Sequence, residues 1–279
     1  MSRLGLEHAT VCGMPPLDLV ALAAEARLQS VGLFAAQLDF NPFGFPDWSL
    51  LRDASLRREL KARMQDLGIV VGLAGGCRIA PGCDVAGLEP QLDALMELDP
   101  ERVNIASFDP DTARSTDQLC QFAEMARDLG VEAVYEYAPS RAFRRLDDVV
   151  TAIKCAGSPG LKLCIDCMHY FRGGHGVEEI ARIDPALIGY VQICDAPLRG
   201  ERDYWREALE QRAMPGEGEL PLAGFLAALP RGVPLSIEIP HKRFADAGIS
   251  HLERVRRAVA ATRTLLAAVE AAPYRSASV

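Results

Sequence analysis

The chain has 279 residues, 49% of them hydrophobic and 24% charged, which is the composition of a globular protein with a sizeable core. A formal net charge of −8 argues against a nucleic-acid or anionic-membrane partner, because both need a basic face. No apolar run approaches the roughly 18 residues of a membrane-spanning helix, and the first residues lack the layout of a secretion signal, so we expect a cytoplasmic protein.

In chain order, short apolar segments alternate about eight times with segments of helical periodicity. Strand–helix alternation predicts parallel strands, and eight such units predict an α/β fold, a single (β/α)8 TIM barrel with outer helices. The predicted strands cover residues 4–10, 30–34, 69–73, 102–108, 133–139, 161–166, 188–195 and 234–240.

An open, doubly wound sheet is the main structural alternative. Such a sheet usually has a Gly-rich phosphate turn after its first strand, and residues 7–13 (EHATVCG) do not match one. The sequence therefore favours the barrel. We expect one domain over residues 1–272 and a flexible C-terminal tail over residues 273–279, which are small and mostly polar.

Polar residues interrupt the apolar segments of the last four predicted strands: Glu136, Asp166, Gln192 and Glu238. On an extended strand the alternate positions point to the opposite face, and here they are apolar and suited to packing under helices: Tyr135, Ile165, Val191, Ile193, Ile237 and Ile239. Three carboxylates and an amide that face one interior repel each other and lose hydration unless a cation lies among them. The pattern predicts a metal site.

The predicted site lies at the mouth of the barrel, because the C-terminal ends of parallel strands meet there. Every ligand atom is an oxygen if Gln192 coordinates through its carbonyl group. An oxygen-rich, partly open site suits Mn²⁺ or Mg²⁺ better than Zn²⁺, with Co²⁺ as an alternative in vitro. Taken singly, each of these residues also fits a satisfied polar group at a strand end; the metal interpretation depends on all four being in phase.

Five segments, VYEYAP, CIDCMHYFRGG, VQICDAP, MPGEGEL and SIEIP, resemble the xylose-isomerase-like TIM barrel superfamily, often called sugar phosphate isomerase/epimerase proteins. The most specific parts are Asp166 and His169, spaced as Asp-x-x-His, and the Glu-Gly-Glu of residues 217–219. The resemblance extends over nearly the whole chain. It implies a metal held by a Glu, an Asp, a His or Gln, and a Glu.

These implied ligands correspond to Glu136, Asp166, Gln192 and Glu238 in this chain. Many ketose epimerases have His at the third position. The Gln here resembles hydroxypyruvate isomerases and some dehydroshikimate dehydratases, and this departure weakens an assignment as a ketose 3-epimerase.

The resemblance implies a divalent ion that binds a substrate carbonyl and a neighbouring hydroxyl, and so acidifies the C–H between them. Glu136 and Glu238 would be the acid/base pair. The leading expectation is an isomerase or epimerase of a small keto-sugar or related polyol. The alternative is a dehydratase of a cyclic keto-polyol such as 3-dehydroshikimate or an inosose, in which a hydroxyl leaves instead. A barrel that only binds a ligand is the third hypothesis.

Other residues are candidates for contacts with the small-molecule substrate. His169 would polarise the carbonyl or donate a proton, although a structural loop histidine is the simpler interpretation. His8 is in phase with the first strand and is expected to face the cavity. Arg172 would clamp a carboxylate or phosphate, and Arg199 is a weaker candidate for the same role. Glu217 would position the substrate or a water molecule.

The sequence argues against one reaction class and against one kind of binding site. The four lysines lie away from the mouth, which argues against a Schiff-base aldolase. The acidic loop PGEGE at residues 215–219 argues against a phosphate cradle. Asp195 fits either a partner of the site or a cap. Barrels of this superfamily often pair, so the resemblance suggests a homodimer.

Overall fold

The computed structural model describes residues 4–157, 160–240 and 242–271, and the predicted tail 273–279 lies outside this part. Eight parallel strands close into a barrel in the order of the chain, which confirms the predicted fold. The strands β1 to β8 are Leu4–Glu7, Ser30–Phe34, Val70–Ile79, Arg102–Ser107, Glu132–Glu136, Leu161–Asp166, Ile188–Ile193 and Leu235–Ile237.

The barrel is surrounded by α-helices and short 3-10 turns, most of them in the connections between consecutive strands. The α-helices of the described residues, α1 to α11, are Pro16–Glu25, Ala54–Leu67, Glu89–Met96, Thr112–Asp128, Leu146–Cys155, Cys167–Arg172, Val177–Ile180, Tyr204–Glu210, Leu222–Ala228, Lys242–Asp246 and His251–Ala271. Three 3-10 helices, His8–Val11, Val85–Leu88 and Pro185–Leu187, complete the elements. None of the helices in the described ranges is long and apolar enough to cross a membrane.

Six of the eight strands have bounds that differ from the prediction, and the ends of β1 and β3 have a clear structural cause. Strand β1 ends at Glu7 rather than at residue 10, because the chain turns into the 3-10 helix His8–Val11. Strand β3 continues to Ile79, six residues beyond the predicted end. Its pairing with β4 shifts between Ala74 and Cys77, and Gly76 there has a φ of 102°, a conformation that glycine adopts without steric cost.

Alternate residues of the strands belong to two different hydrophobic cores. The predicted outward set of apolar residues belongs to the large core between the barrel and its helices. A second, smaller cluster fills the barrel itself and consists of Leu73, Val134, Cys164 and Tyr190. The polar residues at the C-terminal ends of the strands lie one alternation above Val134, Cys164 and Tyr190, so the fold places them at the mouth.

Candidate functional site

The four predicted ligands are all buried at the C-terminal end of the barrel. Glu136 and Asp166 end their strands, Gln192 is the penultimate residue of β7, and Glu238 follows β8 directly. Their exposed fractions are 8%, 0%, 2% and 7%. Asp166 is the register partner of Gln192, and the Glu238 amide continues the ladder by donating to the Ile193 carbonyl at 3.0 Å.

A buried arginine that the sequence analysis did not single out joins two of these residues. The Nη1 of Arg212 donates to the Asp166 carboxylate and, at 3.1 Å, to Glu238 Oε2. The same nitrogen also donates to the Glu238 backbone carbonyl, and Nε donates to the Ala208 carbonyl. Arg212 therefore supplies a positive charge between two carboxylates. Its only sequence signal was its place two residues before the segment MPGEGEL.

A second buried arginine neutralises Glu136. Arg141, in the loop after β5, donates from Nη1 to Glu136 Oε2 at 3.1 Å and to the Glu136 carbonyl at 2.8 Å. Asn104 of β4 donates from Nδ2 to the same carboxylate oxygen at 3.2 Å. Within the described ranges, Asn104 Oδ1 and Arg141 Nε are buried and have no hydrogen-bond partner. One acceptor and one donor next to Glu136 are thus unpaired in this part of the chain.

The two glutamates have opposite pKa shifts. Burial raises the pKa of Glu136, but the charge and the hydrogen bond of Arg141 oppose it, and the pKa lies below its usual value. Burial raises the pKa of Glu238 well above its usual value, because the Arg212 charge does not offset burial together with the neighbouring carboxylates. The site is asymmetric, with an ionised carboxylate on one side and a proton-holding carboxyl on the other.

The residues fit a hard divalent cation in charge and in donor type. Three carboxylates and the Gln192 amide are buried together, and burial, with a further contribution from the neighbouring carboxylates, raises the pKa of Glu238. Oxygen donors of this kind suit Mn²⁺ or Mg²⁺. Among the described residues, no three His, Cys, Asp or Glu side chains form a ready-made cage, and Arg212 is bonded to both Asp166 and Glu238.

His169 lies at the site, as predicted. Its Nε2 is 3.9 Å from Glu136 Oε1, and its backbone amide donates to Asp166 at 2.8 Å. Tyr204 hydrogen-bonds to its Nδ1 at 2.7 Å. Burial lowers the pKa of His169 to about 4, so the imidazole is neutral. If Tyr204 donates to Nδ1, the Nε2–H is directed at the site.

The expectation that His8 faces the cavity is corrected by the structure. Its Nε2 bonds to the Met14 carbonyl at 2.7 Å, and its Nδ1 accepts from the Phe34 amide at 3.3 Å, so both ring nitrogens are used by the backbone. The ring is stacked against Trp48 with centroids 5.0 Å apart. The inward position of β1 is Glu7, one residue earlier, because the strand phase differs from the predicted one by one residue.

Arg172 also differs from its predicted role. Its guanidinium forms a buried ion pair with Glu207, with Nη2 and Oε1 2.5 Å apart. It also donates to the carbonyls of Pro197 and Leu198, at 2.6 Å and 3.3 Å. These bonds tie α6 to α8 and to the loop after β7. Arg172 therefore shapes the loop beside the mouth, and its donors are directed at the protein.

Glu217 and Arg199 are exposed, and neither is brought into the buried site. The loop that contains Glu217 is held by Asp195, whose carboxylate accepts hydrogen bonds from the amides of Gly216 at 2.9 Å and Leu220 at 3.1 Å. Of the two roles considered for Asp195, the structure favours that of a loop cap. The acidic loop, which follows Arg212 in the chain, is therefore held in place by Asp195.

Comparisons with known proteins connect this geometry to a family. A 3-dehydroshikimate dehydratase from Pseudomonas putida is 29% identical over 215 residues, which are 71% of this chain and 34% of that protein. The chain thus spans about a third of the length of this curated relative.

Two solved structures share the fold. The IolI protein with a bound zinc atom has a TM-score of 0.75, 17% identity and coverage of 96% of this chain and 98% of its own. A D-psicose 3-epimerase in the presence of D-fructose has a TM-score of 0.72, 17% identity and coverage of 95% and 99%. At these identities the likeness shows the fold alone. The model of the xylose isomerase-like TIM barrel family matches residues 20–265, and this chain belongs to that family.

Proposed function

We propose that this chain is a divalent-metal-dependent dehydratase that acts on a small cyclic keto-polyol carrying a carboxylate, of the 3-dehydroshikimate type. The relative from Pseudomonas putida supports the reaction class, and the buried carboxylates, arginines and histidine at the mouth supply the groups that it needs. The chain covers about a third of that relative, so the activity is proposed for this barrel and not transferred from the whole protein.

The observation that carries the proposal is the pair of unsatisfied polar atoms beside Glu136. Arg141 Nε is a buried donor without an acceptor, and Asn104 Oδ1 is a buried acceptor without a donor, within the described part of the chain. Leaving such atoms unpaired costs about 1–3 kcal/mol each, so a ligand that satisfies both is favoured. A carboxylate suits the arginine best, because it adds a charge-assisted hydrogen bond, and a hydroxyl suits the asparagine.

Glu136, Asp166, Gln192 and Glu238 would hold the metal, for which we propose Mn²⁺ or Mg²⁺. Such an ion, when bound, would polarise a ring ketone and so lower the pKa of the adjacent C–H. Position 192 would contribute a neutral oxygen, which gives the site three carboxylate charges at most.

In the proposed reaction Glu136 is the base. The charge of Arg141 favours the ionised form of Glu136, so Glu136 can take the proton next to the ring ketone. Glu238, once protonated, would give its proton to the hydroxyl on the next carbon, and the C–O bond breaks as water leaves. The resulting dienone tautomerises to the aromatic phenol, and exchange with solvent restores both carboxyls.

His169 would act as a neutral hydrogen-bond donor in this scheme. With Tyr204 donating to Nδ1, the Nε2–H is free to bond an oxygen on which negative charge develops. Burial favours the neutral ring, so this donor is present at neutral pH.

The test is incubation of the purified chain with 3-dehydroshikimate and Mn²⁺, with ultraviolet detection of the aromatic acid. Chelation of the metal should abolish the product, and return of Mn²⁺ should restore it. If neither an aromatic product nor release of water is detected for 3-dehydroshikimate or for an inosose, the dehydratase proposal is wrong.

An isomerase or epimerase is the second candidate, because Glu136 and Glu238 both lie at the site and two carboxyls can exchange protons with two faces of a substrate. Proton-exchange NMR with a panel of keto-sugars would detect it as deuterium incorporation without loss of water. If the chain neither exchanges protons nor binds Mn²⁺, the third hypothesis, a barrel that only binds a ligand, is favoured.

A further inference from the structure

A surface cavity of about 280 Å³ lies between the end of α1 and the last helix, α11. Because α1 leads into the start of β2, the cavity is on the side of the barrel where the strands begin, and the candidate site is at the other end. Its charged lining consists of one glutamate, Glu25, and three arginines, Arg27, Arg256 and Arg263. On a chain whose net charge is −8, this lining has an excess of two positive charges.

Two of the arginines share one face of α11. Arg256 and Arg263 are seven residues apart, which is about two helical turns, so both face the end of α1. Arg256 Nη2 donates to the Glu25 carbonyl at 3.4 Å, and Arg263 Nη2 donates to the Arg27 carbonyl at 2.8 Å. These bonds direct both guanidinium groups to the wall of the cavity. A guanidinium has five N–H donors, so most of those at the cavity are not used by these bonds.

The third arginine occupies a position that usually belongs to glycine. Arg27 has a φ of 58°, in the left-handed region. Its amide donates to the Ala24 carbonyl and the Leu28 amide donates to the Ala23 carbonyl, both at 2.9 Å, which is the Schellman pattern at the end of a helix. Glycine adopts this conformation without steric cost, and arginine does not. The chain thus keeps a long cationic side chain here, although the turn itself favours glycine.

Capping of α1 does not account for all three charges. The carbonyl end of a helix carries the equivalent of about half a negative charge, and cations near it are stabilising. The bonds from Arg256 and Arg263 already serve that end of α1. Within the described ranges the side chain of Arg27 forms no ion pair, and neither do those of Arg256 and Arg263. The remaining positive charge lines a concave surface and suits an anionic ligand.

We propose that this cavity binds a small oxyanion with at least two negative charges, such as diphosphate, through Arg27, Arg256 and Arg263. The planar guanidinium group matches the paired oxygens of phosphate and carboxylate groups. The volume lies just below the roughly 300–1,000 Å³ of pockets for drug-sized ligands, so the ligand is small.

A bound anion would tie the first helix of the barrel to the last. Helix α1 follows β1 and α11 follows β8, and these two strands pair to close the barrel. The anion would bridge Arg27 on one side and the two arginines of α11 on the other. This site is separate from the proposed dehydratase reaction and needs no metal.

The experiment is a calorimetric titration of the full, metal-free chain with inorganic pyrophosphate, and with citrate at the same ionic strength. We expect one saturable site per chain and a rise in the melting temperature with anion concentration. Tighter binding of pyrophosphate would identify phosphate groups as the preferred chemistry, and tighter binding of citrate would identify carboxylates; either result supports an oxyanion site. If neither anion binds saturably, the inference is wrong.

Arg27→Gly tests the location of the site without a cost to the fold, because glycine suits the left-handed turn. The variant should lose about 10-fold or more in anion affinity, since it removes a charge-assisted contact. Its melting temperature without anion should stay close to that of the unmodified chain, so that weaker binding is not a sign of misfolding.

Arg182→Gly is the matched control. Arg182 is an exposed arginine that follows α7 and does not line the cavity, so this variant has the same change in net charge. It should bind pyrophosphate as tightly as the unmodified chain does. If Arg27→Gly and Arg182→Gly weaken binding equally, the anion responds to net charge alone and the site is refuted. Unchanged affinity in Arg27→Gly would place the bound anion elsewhere and would also refute it.

Discussion

Replacement of Arg212 by methionine tests the electrostatics of the site directly. The guanidinium is buried and donates to Asp166 and Glu238, so Arg212→Met leaves two carboxyls without their cation. Removal of one partner of a buried ion pair costs about 3–5 kcal/mol. Because burial already favours the protonated form of Glu238, the lower value applies, and we expect a loss of about 3 kcal/mol. For a chain of this size that corresponds to a fall of about 6–12 °C in Tm.

The assay is thermal unfolding of the metal-free protein, repeated with increasing Mn²⁺. A divalent ion competes with Arg212 for the same carboxylates in the unmodified chain and has no competitor in the variant. Mn²⁺ should therefore stabilise Arg212→Met more than it stabilises the unmodified chain. An ion at 100 times its Kd adds about 2.7 kcal/mol, so the loss should be largely reversed.

Arg172→Met is the matched control, because Arg172 and Glu207 form an ion pair of similar burial outside the group of carboxylates. It should lose comparable stability, and Mn²⁺ should raise its Tm only as much as that of the unmodified chain. Equal stabilisation of Arg172→Met and Arg212→Met by Mn²⁺ would refute the assignment of the carboxylates next to Arg212 to a metal site.

Three further predictions concern single groups. Glu238→Gln should keep the fold and lower turnover at least about 100-fold, since it removes a proton-transfer group; circular dichroism and product assays check both, and full activity would contradict the role. Asp166→Ala should weaken Mn²⁺ binding, and an unchanged calorimetric titration would exclude it as a ligand. Burial lowers the pKa of His8 to about 4, so the unfolded chain binds a proton between about pH 6.5 and pH 4 that the folded chain does not. Stability should therefore fall by about 2 kcal/mol from pH 7 to pH 5 because of this group, and His8→Phe should reduce that difference in denaturant unfolding; an unaltered difference would argue against a neutral, buried imidazole.

Much of the fold was predictable because its signals are local. Strand and helix periodicities gave the eight units, and two of the predicted strands, Ser30–Phe34 and Leu161–Asp166, have the observed bounds. The ends of β1 and β3 were not predictable in the same way. The first depends on the side chain of His8, which bonds to Met14, and the second on the irregular pairing around Gly76. The first is a contact within the turn after β1, and the second depends on pairing with the neighbouring strand β4.

The candidate site was predictable where polar residues interrupt an otherwise regular strand. Glu136, Asp166 and Gln192 stand out for this reason, and Asn104 carries the same signal between Val103 and Ile105, although it was not singled out. The phase of the first strand was predicted incorrectly, because His8 and not Glu7 was taken as the residue that points into the barrel. The sequence shows which residues of a strand are polar. It does not show which residue points into the barrel, because that depends on where the strand ends.

The sequence by itself determined that eight alternating units form a barrel and that polar side chains converge at its mouth, because both follow from the spacing of residues along short segments. Only the tertiary structure decided which cations face those side chains. Arg212 lies 46 residues from Asp166 and 26 from Glu238, in a segment without a periodic pattern, and it reaches them through the loop after β7. Burying carboxylates requires a compensating charge, and the sequence does not specify which of the chain's many arginines will supply it.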